Sequence, residues 1–185
     1  MNFFNRLLGN SIARRYFVMN SFDGLLTTSG IILALFFSGV IDFRVLISSC
    51  IGYGVAVIVS GFSGAYISER AERRLKIRQL EKHLLTNLKH SNLYNLSKED
   101  SVIVAFVNGF SPFITMLLLV LPFFFISGVS AYYVSFIIAG VVISLLGVFI
   151  ARIANERVLF SIFKMFIIGG LVFFLIYLLE LLKVV

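Results

Sequence analysis

Residues 101–151 read SVIVAFVNGFSPFITMLLLVLPFFFISGVSAYYVSFIIAGVVISLLGVFIA, a stretch of 51 residues without a charged side chain. A helix that crosses a membrane needs about 20 apolar residues, so this stretch is too long for one such helix and suits two. Pro122, followed by Ser-Gly-Val-Ser at 127–130, is the best turn signal inside it. We therefore predict two membrane-spanning helices, near residues 101–126 and 130–151.

Three further stretches have the length of one spanning helix each. Residues 24–41 and 45–68 are uncharged, and residues 158–179 contain a single charge, Lys164. The sequence thus predicts an all-α polytopic membrane protein, a single membrane domain over residues 1–185 with five transmembrane helices. The other three helices are predicted near residues 17–41, 45–68 and 159–182.

The composition supports this class. Of the 185 residues, 59% are hydrophobic and 14% are charged, whereas soluble domains carry about 25% charged residues. A soluble chain of this length leaves too much of its surface wet to hide so many apolar side chains. Soluble enzymes and nucleic-acid-binding proteins are therefore excluded, in spite of the net charge of +7. Cys50 is the one cysteine, so no internal disulfide forms, and we predict that it is a packing residue.

The basic residues predict the orientation. All but two of the 16 Lys and Arg residues lie before the first helix, between the second and third, or around the start of the fifth. The two exceptions are Arg44 and Lys183. Because basic residues concentrate on the cytosolic side, we predict a cytosolic N-terminus and an external C-terminus. The N-terminus has no signal-peptide pattern, and short loops suit a prokaryotic inner membrane.

Residues 69–100 are predicted to be a short, basic, cytosolic helical segment. Its first part, residues 69–90, continues the second helix and offers the i,i+4 ion pairs Glu69–Arg73 and Glu72–Lys76. Residues 92–96 are expected to form a turn. A capping box with Ser97 as the cap and Asp100 at the third helical position is then expected to open the third helix.

One acidic residue lies where lipid is expected. Asp23 follows Arg15 by eight residues, about 12 Å along a helix, which places it below the cytosolic interface. A carboxylate at this depth is usually functional. It suits a hard cation, which prefers oxygen ligands, or a proton relay. The alternative is that Asp23 only reaches up to the interface.

Asp23 belongs to a stripe of polar and small residues whose spacing places them on one helix face. The stripe comprises Asn20, Asp23, Thr27, Gly30, Ala34 and Ser38. A second series of small residues follows the second helix at i+4 spacing, and it either packs against a neighbouring helix or lines a path. This ladder consists of Gly52, Ala56, Ser60, Gly64 and Ser68.

Two further groups are candidates. In the third helix, Asn108 and Ser111 share a face with Thr115 near Pro112, which indicates either an interior coordination point or an ordinary kink. At the predicted cytosolic mouth, Glu69 and Glu72 either collect cations or only form ion pairs within a basic helix. We take Asp23, Thr27, Glu69 and Glu72 as candidate metal ligands. The predicted path-lining residues are Asn20, Gly30, Ser60, Gly64, Asn108 and Ser111.

The segment DGLLTTSG at residues 23–30 resembles the first-helix motif of the vacuolar iron transporter family. Two more segments match that family in order, SGAYIS at 63–68 and KMFIIGGL at 164–171. The resemblance implies five transmembrane helices and a homodimer whose first helices line an ion path between the subunits. It also implies export of Fe²⁺, Mn²⁺ or a related divalent ion from the cytosol in exchange for protons, with Asp23 in the path and Thr27 beside it. The metal is cargo, and no resident cofactor is expected.

Departures from the family pattern keep a second hypothesis open. Ala65 and Gly61 stand where the family has Glu and Met, and residues 69–100 are basic rather than rich in Glu and Met. A basic collar repels divalent cations. The alternative function is therefore a non-transporting membrane scaffold or partner subunit of the same fold. Transport of an anion or small organic molecule is also open, whereas a membrane enzyme is not expected, because the sequence has no nucleophile–base set or phosphate loop.

Overall fold

The computed structural model describes residues 11–39, 42–87 and 91–182, and this part of the chain is helical without any strand. Five segments are long and apolar enough to cross a membrane, which confirms the predicted all-α class and is compatible with an integral multi-pass membrane protein. One of these segments, Tyr94–Phe125, runs through two consecutive helices. The helices are α1 (Ser11–Phe37), α2 (Phe43–Leu84), α3 (Asn92–Val120), the short α4 (Pro122–Phe125), α5 (Ser130–Ala154) and α6 (Val158–Leu181).

Helix α2 is the longest element and extends well beyond the others. Its 42 residues span about 63 Å at 1.5 Å per residue, roughly twice the 30 Å of a bilayer core. The helix continues past residue 68, as the charge pattern predicts, but it ends at Leu84, before the predicted limit at residue 90. Leu85 adopts the left-handed conformation that closes the helix, with φ 51°. Residues 88–90 lie outside the described residues.

Helix α3 begins earlier than the sequence predicts. Ser91, rather than Ser97, is the N-cap, and its hydroxyl oxygen accepts the Tyr94 N–H at 3.3 Å. The predicted turn at 92–96 is wrong because these residues contain no glycine or proline and continue a helix already capped upstream. Ser97 instead donates to the Tyr94 carbonyl oxygen inside the helix. Asp100 accepts a hydrogen bond of 3.1 Å from the Arg73 guanidinium of α2.

Helix α1 is shifted toward the N-terminus relative to the predicted 17–41. It includes residues from Ser11 onward and ends at Phe37, followed by a turn in which Gly39 has φ 67°. A positive φ suits glycine and stops the helix, which hydropathy alone does not register. Asp42 then caps α2 by accepting the Arg44 N–H at 2.9 Å. The last two predicted residues of this helix, 40 and 41, lie outside the described residues.

Helix α3 occupies the centre of the bundle. It packs most extensively against α2 and α1 and also touches α5, while α6 packs on α5 and α1. The core is mainly apolar, and Cys50 is fully buried in it, as predicted. Much of the surface of α2 and α6 remains exposed, because each covers only one side of the bundle. The fully buried large side chains of this core include Leu25, Ile32, Leu46, Met116 and Leu119.

Candidate functional site

The polar stripe of α1 lies on the open side of that helix. Asp23 is exposed, and Asn20 and Thr27 are partly exposed. The Tyr53 side chain of α2 lies near both Thr27 and Asp23. Further along the stripe, Gly30 faces α6, since a Cβ there would lie 3.3 Å from Ile176 Cδ1. The stripe therefore forms the floor of a groove, here called the α1 groove, with α2 and α6 as its walls.

A backbone contact fixes the direction in which Asp23 points. A Cβ added at Gly24 would lie 2.5 Å from Pro112 Cα and 2.6 Å from the Pro112 carbonyl oxygen. Helices α1 and α3 thus touch backbone to backbone, as small residues permit in membrane bundles. Because Gly24 faces α3, the adjacent Asp23 is rotated by about 100° toward the open side of the helix. In this Asp-Gly pair, Gly24 allows the close crossing of α1 and α3, and Asp23 consequently points away from α3.

An amide pair joins three helices one turn away from Asp23. Asn20 Nδ2 donates to Asn108 Oδ1 at 2.8 Å and to the Tyr16 carbonyl oxygen at 2.8 Å. Asn108 Nδ2 in turn donates to the Gly61 carbonyl oxygen of α2 at 2.7 Å. Asn108 is therefore a clamp between α1, α2 and α3. Both Asn20 bonds use its nitrogen, so the Asn20 Oδ1 atom remains an available acceptor among the described residues.

Ser111 does not reach the groove. Its side chain is buried, and its hydroxyl donates to the Val107 carbonyl oxygen within α3. Thr115 is also buried and donates to the Pro112 carbonyl oxygen at 2.9 Å. These hydroxyls are satisfied by their own helix near its proline, a usual arrangement for Ser and Thr in apolar helices. Of the predicted α3 pair, only Asn108 contacts the α1 stripe.

Ser60 and Gly64 lie on an exposed face of α2. Among the described residues, no atom lies within 4 Å of a Cβ built at Gly64, and the same holds for Gly52. Tyr53, Ser60 and Gly64 are seven and eleven residues apart, which places them on one face of the helix. Tyr53 marks that face as the one beside α1. Ser60 and Gly64 therefore border the α1 groove without being covered.

Glu69 and Glu72 are engaged in ion pairs on the extension of α2. Glu69 Oε2 lies 3.4 Å from Arg73 Nε, and Glu72 Oε1 lies 3.4 Å from Lys76 Nζ, which confirms both predicted pairs. Glu69 is also 16 residues from Tyr53, about 24 Å along the axis. The two glutamates and Asp23 thus do not form one site. No group of three or more His, Cys, Asp or Glu side chains suited to a metal occurs within the described ranges.

Sequence reasoning missed two features of this region. Tyr53 supplies a phenol to the wall of the groove, and its position among small residues was the available signal. Thr28 and Ser29, the next residues of the same motif, turn into the core and are buried. Neither of their hydroxyl oxygens has a hydrogen-bond partner in the described part of the chain. The motif therefore has an outward polar face and an inward one.

The chain is similar to an archaeal protein of nearly the same span. It is 34% identical over 164 residues to "Uncharacterized protein MJ0645" of Methanocaldococcus jannaschii, an alignment that covers 87% of this chain and 84% of the relative. No family model matches the chain. No solved structure matches it either. On the strength of this identity and coverage, the chain belongs to the same family as MJ0645.

Proposed function

We propose that this protein transports a divalent metal ion of the Fe²⁺ or Mn²⁺ type across a prokaryotic cell membrane, exporting it from the cytosol in exchange for protons. The path would run along the α1 groove at the interface of a homodimer. The observation that carries the proposal is the Asp23 carboxylate, exposed on the open side of an apolar helix and locked there by the Gly24–Pro112 contact. The archaeal origin of the relative is compatible with a prokaryotic membrane.

The energetic argument concerns the uncompensated charge of Asp23. A carboxylate inside a bilayer costs at least about 2.5–3.5 kcal/mol, and within residues 11–39, 42–87 and 91–182 it has no ion-pair partner. A second copy packed on the α1 groove would remove the carboxylate from lipid. A two-fold axis would also place two Asp23 side chains opposite each other. Such a pair holds one divalent cation or shares protons, so metal and protons compete for it.

The oxygen atoms around Asp23 support a hard cation. Thr27 and Tyr53 would add hydroxyl oxygens, and Asn20 an amide oxygen, to an ion held by Asp23 in this groove. Oxygen ligands of this kind suit divalent ions with little preference for sulfur or nitrogen. The orientation with a cytosolic N-terminus follows from the positive-inside rule. In that orientation the long extension of α2 lies in the cytosol.

The test compares two acidic residues in proteoliposomes. Uptake of Fe²⁺ and Mn²⁺ is followed by a metal-sensitive dye, with a proton gradient applied or absent. We expect Asp23→Asn to reduce transport at least tenfold. Asp42→Asn is the matched control, because Asn caps a helix about as well as Asp and Asp42 lies at the other end of the bundle. Transport by Asp23→Asn at the wild-type rate would remove the assigned role.

The dimer requires its own test. Cys50 is first replaced by Ala, and Ser60→Cys is then introduced on the exposed face of α2. Oxidation in membranes is expected to give a covalent dimer at this position. Leu145→Cys, on an exposed face of α5, is the control and should stay monomeric. Equal cross-linking at both positions, or none at Ser60→Cys, would contradict a two-fold contact along the α1 groove.

The second candidate function is a membrane scaffold or partner subunit that does not transport. Its support is that Glu69 and Glu72 are neutralised by Arg73 and Lys76, and that Ala65 is buried in the bundle. In that case Fe²⁺, Mn²⁺, Ca²⁺ and Mg²⁺ should leave the melting temperature of the purified protein unchanged. Stabilisation by a metal that is lost in Asp23→Asn would favour the transporter.

A further inference from the structure

A groove separate from the α1 groove lies between the start of α1, the end of α5 and the start of α6. It consists of two adjoining cavities of about 400 and 340 Å³, which share Val18, Met19 and Ile150 as lining residues. Asn20, Asp23 and Thr27 line neither cavity. The lining of the first cavity is almost entirely apolar below its mouth. This groove is called the α1/α5/α6 groove below.

The mouth of the α1/α5/α6 groove is basic. Arg14 and Arg15 border the first cavity, and Lys164 borders the second, where Glu156 pairs with it at 3.0 Å. Neither arginine has a carboxylate partner among the residues that the structure describes. The Arg14 Nε atom is buried and has no hydrogen-bond acceptor within residues 11–39, 42–87 and 91–182. Even with Glu156 counted, the mouth therefore carries excess positive charge and a donor that lacks an acceptor.

We propose that the α1/α5/α6 groove binds one anionic phospholipid, with its phosphate at Arg14 and Arg15 and one hydrocarbon chain along Val18, Met19 and Ile150. The phosphate oxygens accept hydrogen bonds from the guanidinium groups of Arg14 and Arg15, in a geometry that guanidinium groups favour. The hydrocarbon chain fills an apolar channel that water would occupy poorly. A free phosphate would satisfy the arginines but leave that channel empty. Basic pockets between membrane helices are known places for anionic headgroups.

The position of the groove along α1 fits a lipid at the membrane surface. The second cavity continues to Phe22, eight residues beyond Arg14 and about 12 Å deeper along the helix. Along α1, the charged mouth thus comes first and the apolar channel follows, in the same order as the headgroup and the hydrocarbon chain of a lipid. Because Val18 and Phe22 belong to the same helix as Asp23, a bound lipid would also brace α1 from the side opposite to α3.

The experiment uses the full chain in detergent and compares phosphatidylglycerol with phosphatidylcholine of identical acyl chains. Native mass spectrometry counts bound lipid, and a thiol-reactive dye reports unfolding through the buried Cys50. We expect one phosphatidylglycerol retained per chain, phosphatidylcholine not retained, and a higher melting temperature with phosphatidylglycerol only. Arg14→Gln and Arg15→Gln should each weaken binding about five-fold or more, whereas Lys82→Gln, far along the extension of α2, should not.

A second variant distinguishes binding inside the groove from non-specific electrostatic attraction of anionic lipid to the basic surface. Ala154→Trp leaves every charge in place but fills the first cavity from an exposed helix end, so folding is not at risk. We expect it to abolish retention of phosphatidylglycerol. If Ala154→Trp retains phosphatidylglycerol as the wild type does, the proposal is overturned in favour of surface electrostatics. The same holds if Lys82→Gln weakens retention as much as the arginine variants do. Full displacement by inorganic phosphate would overturn the proposal in favour of a free anion.

Discussion

Glycine residues lie on two different faces of α2, and their surroundings differ. On the inner face, Gly61 lies against α3, where its Cβ would be 3.1 Å from Gly109 Cα. On the uncovered face that also carries Ser60, a Cβ built at Gly64 has no atom of the described residues within 4 Å. Small residues allow close helix approach, but they do not determine which helix approaches. Gly61 thus helps to build the monomer, and Gly64 leaves a face on which the proposed second copy would pack.

The largest effect that tests this comparison is expected at the α1–α3 crossing. Gly24→Ala places a methyl group 2.5 Å from Pro112 backbone, which no side-chain movement relieves. We expect a loss of about 3 kcal/mol, at the upper end of overpacking effects. The same change at Gly52 meets open space and should stabilise the helix by about 0.5–1 kcal/mol. Thermal unfolding monitored through Cys50 gives both values, and equal melting temperatures would show that the crossing is loose.

A pair of larger substitutions on α2 separates folding from assembly. Gly61→Leu should destabilise the chain by about 1–3 kcal/mol, because it pushes α2 from Gly109 and Asn108. Gly64→Leu should leave the melting temperature of the monomer unchanged but weaken the dimer at least tenfold, since only a second copy would meet it. The measurements are thermal unfolding and single-molecule counting in nanodiscs. A monomer destabilised as much by Gly64→Leu as by Gly61→Leu would break the distinction between the faces.

A smaller effect is expected from the polar clamp on the inner face. Asn20 and Asn108 are hydrogen-bonded at 2.8 Å, and Asn108 also holds the Gly61 carbonyl oxygen. A double-mutant cycle with Asn20→Leu and Asn108→Leu should give a coupling energy of about 0.6 kcal/mol, the average for such bonds in membrane bundles. Unfolding in graded detergent mixtures measures it. Strictly additive single effects would mean that the two amides do not act together.

The smallest effect is expected from an exposed ion pair between Glu156, in the connection from α5 to α6, and Lys164 of α6. Lys164 lowers the pKa of Glu156 below its ordinary value, through a hydrogen bond and its charge. A lowered folded-state pKa contributes stability above the ordinary pKa of the carboxyl group, and this stability is lost as the pH falls through the lowered value. We expect a slight fall in melting temperature below about pH 4.5. Lys164→Gln should flatten that part of the profile, and an unaltered profile would show that the pair contributes nothing.

Hydropathy and charge were sufficient for the helices, because an apolar stretch of spanning length has few alternatives to a helix in lipid. The turn at Ser127–Gly128 and the continuation of α2 past residue 68 were predictable in the same way. The start of α3 was not, because the pattern predicts a cap at Ser97 whereas the helix is capped six residues earlier, at Ser91. The candidate metal ligands remain a prediction from residue types in a pattern. The i,i+4 spacing also predicted that Glu69 pairs with Arg73 and Glu72 with Lys76, and the structure contains both pairs.

The sequence by itself determined the number of apolar helices and the polar stripe of α1, because both are periodic properties of a single segment. Tertiary structure decided which face of each segment is covered. Contacts with α3 turned Gly24 and Gly61 inward, and the same rotations left Asp23 and Gly64 outward. Helix rotation depends on the fit between side chains that are distant in sequence. The sequence of one helix does not determine that fit, so the open α1 groove could be seen only in the packed structure.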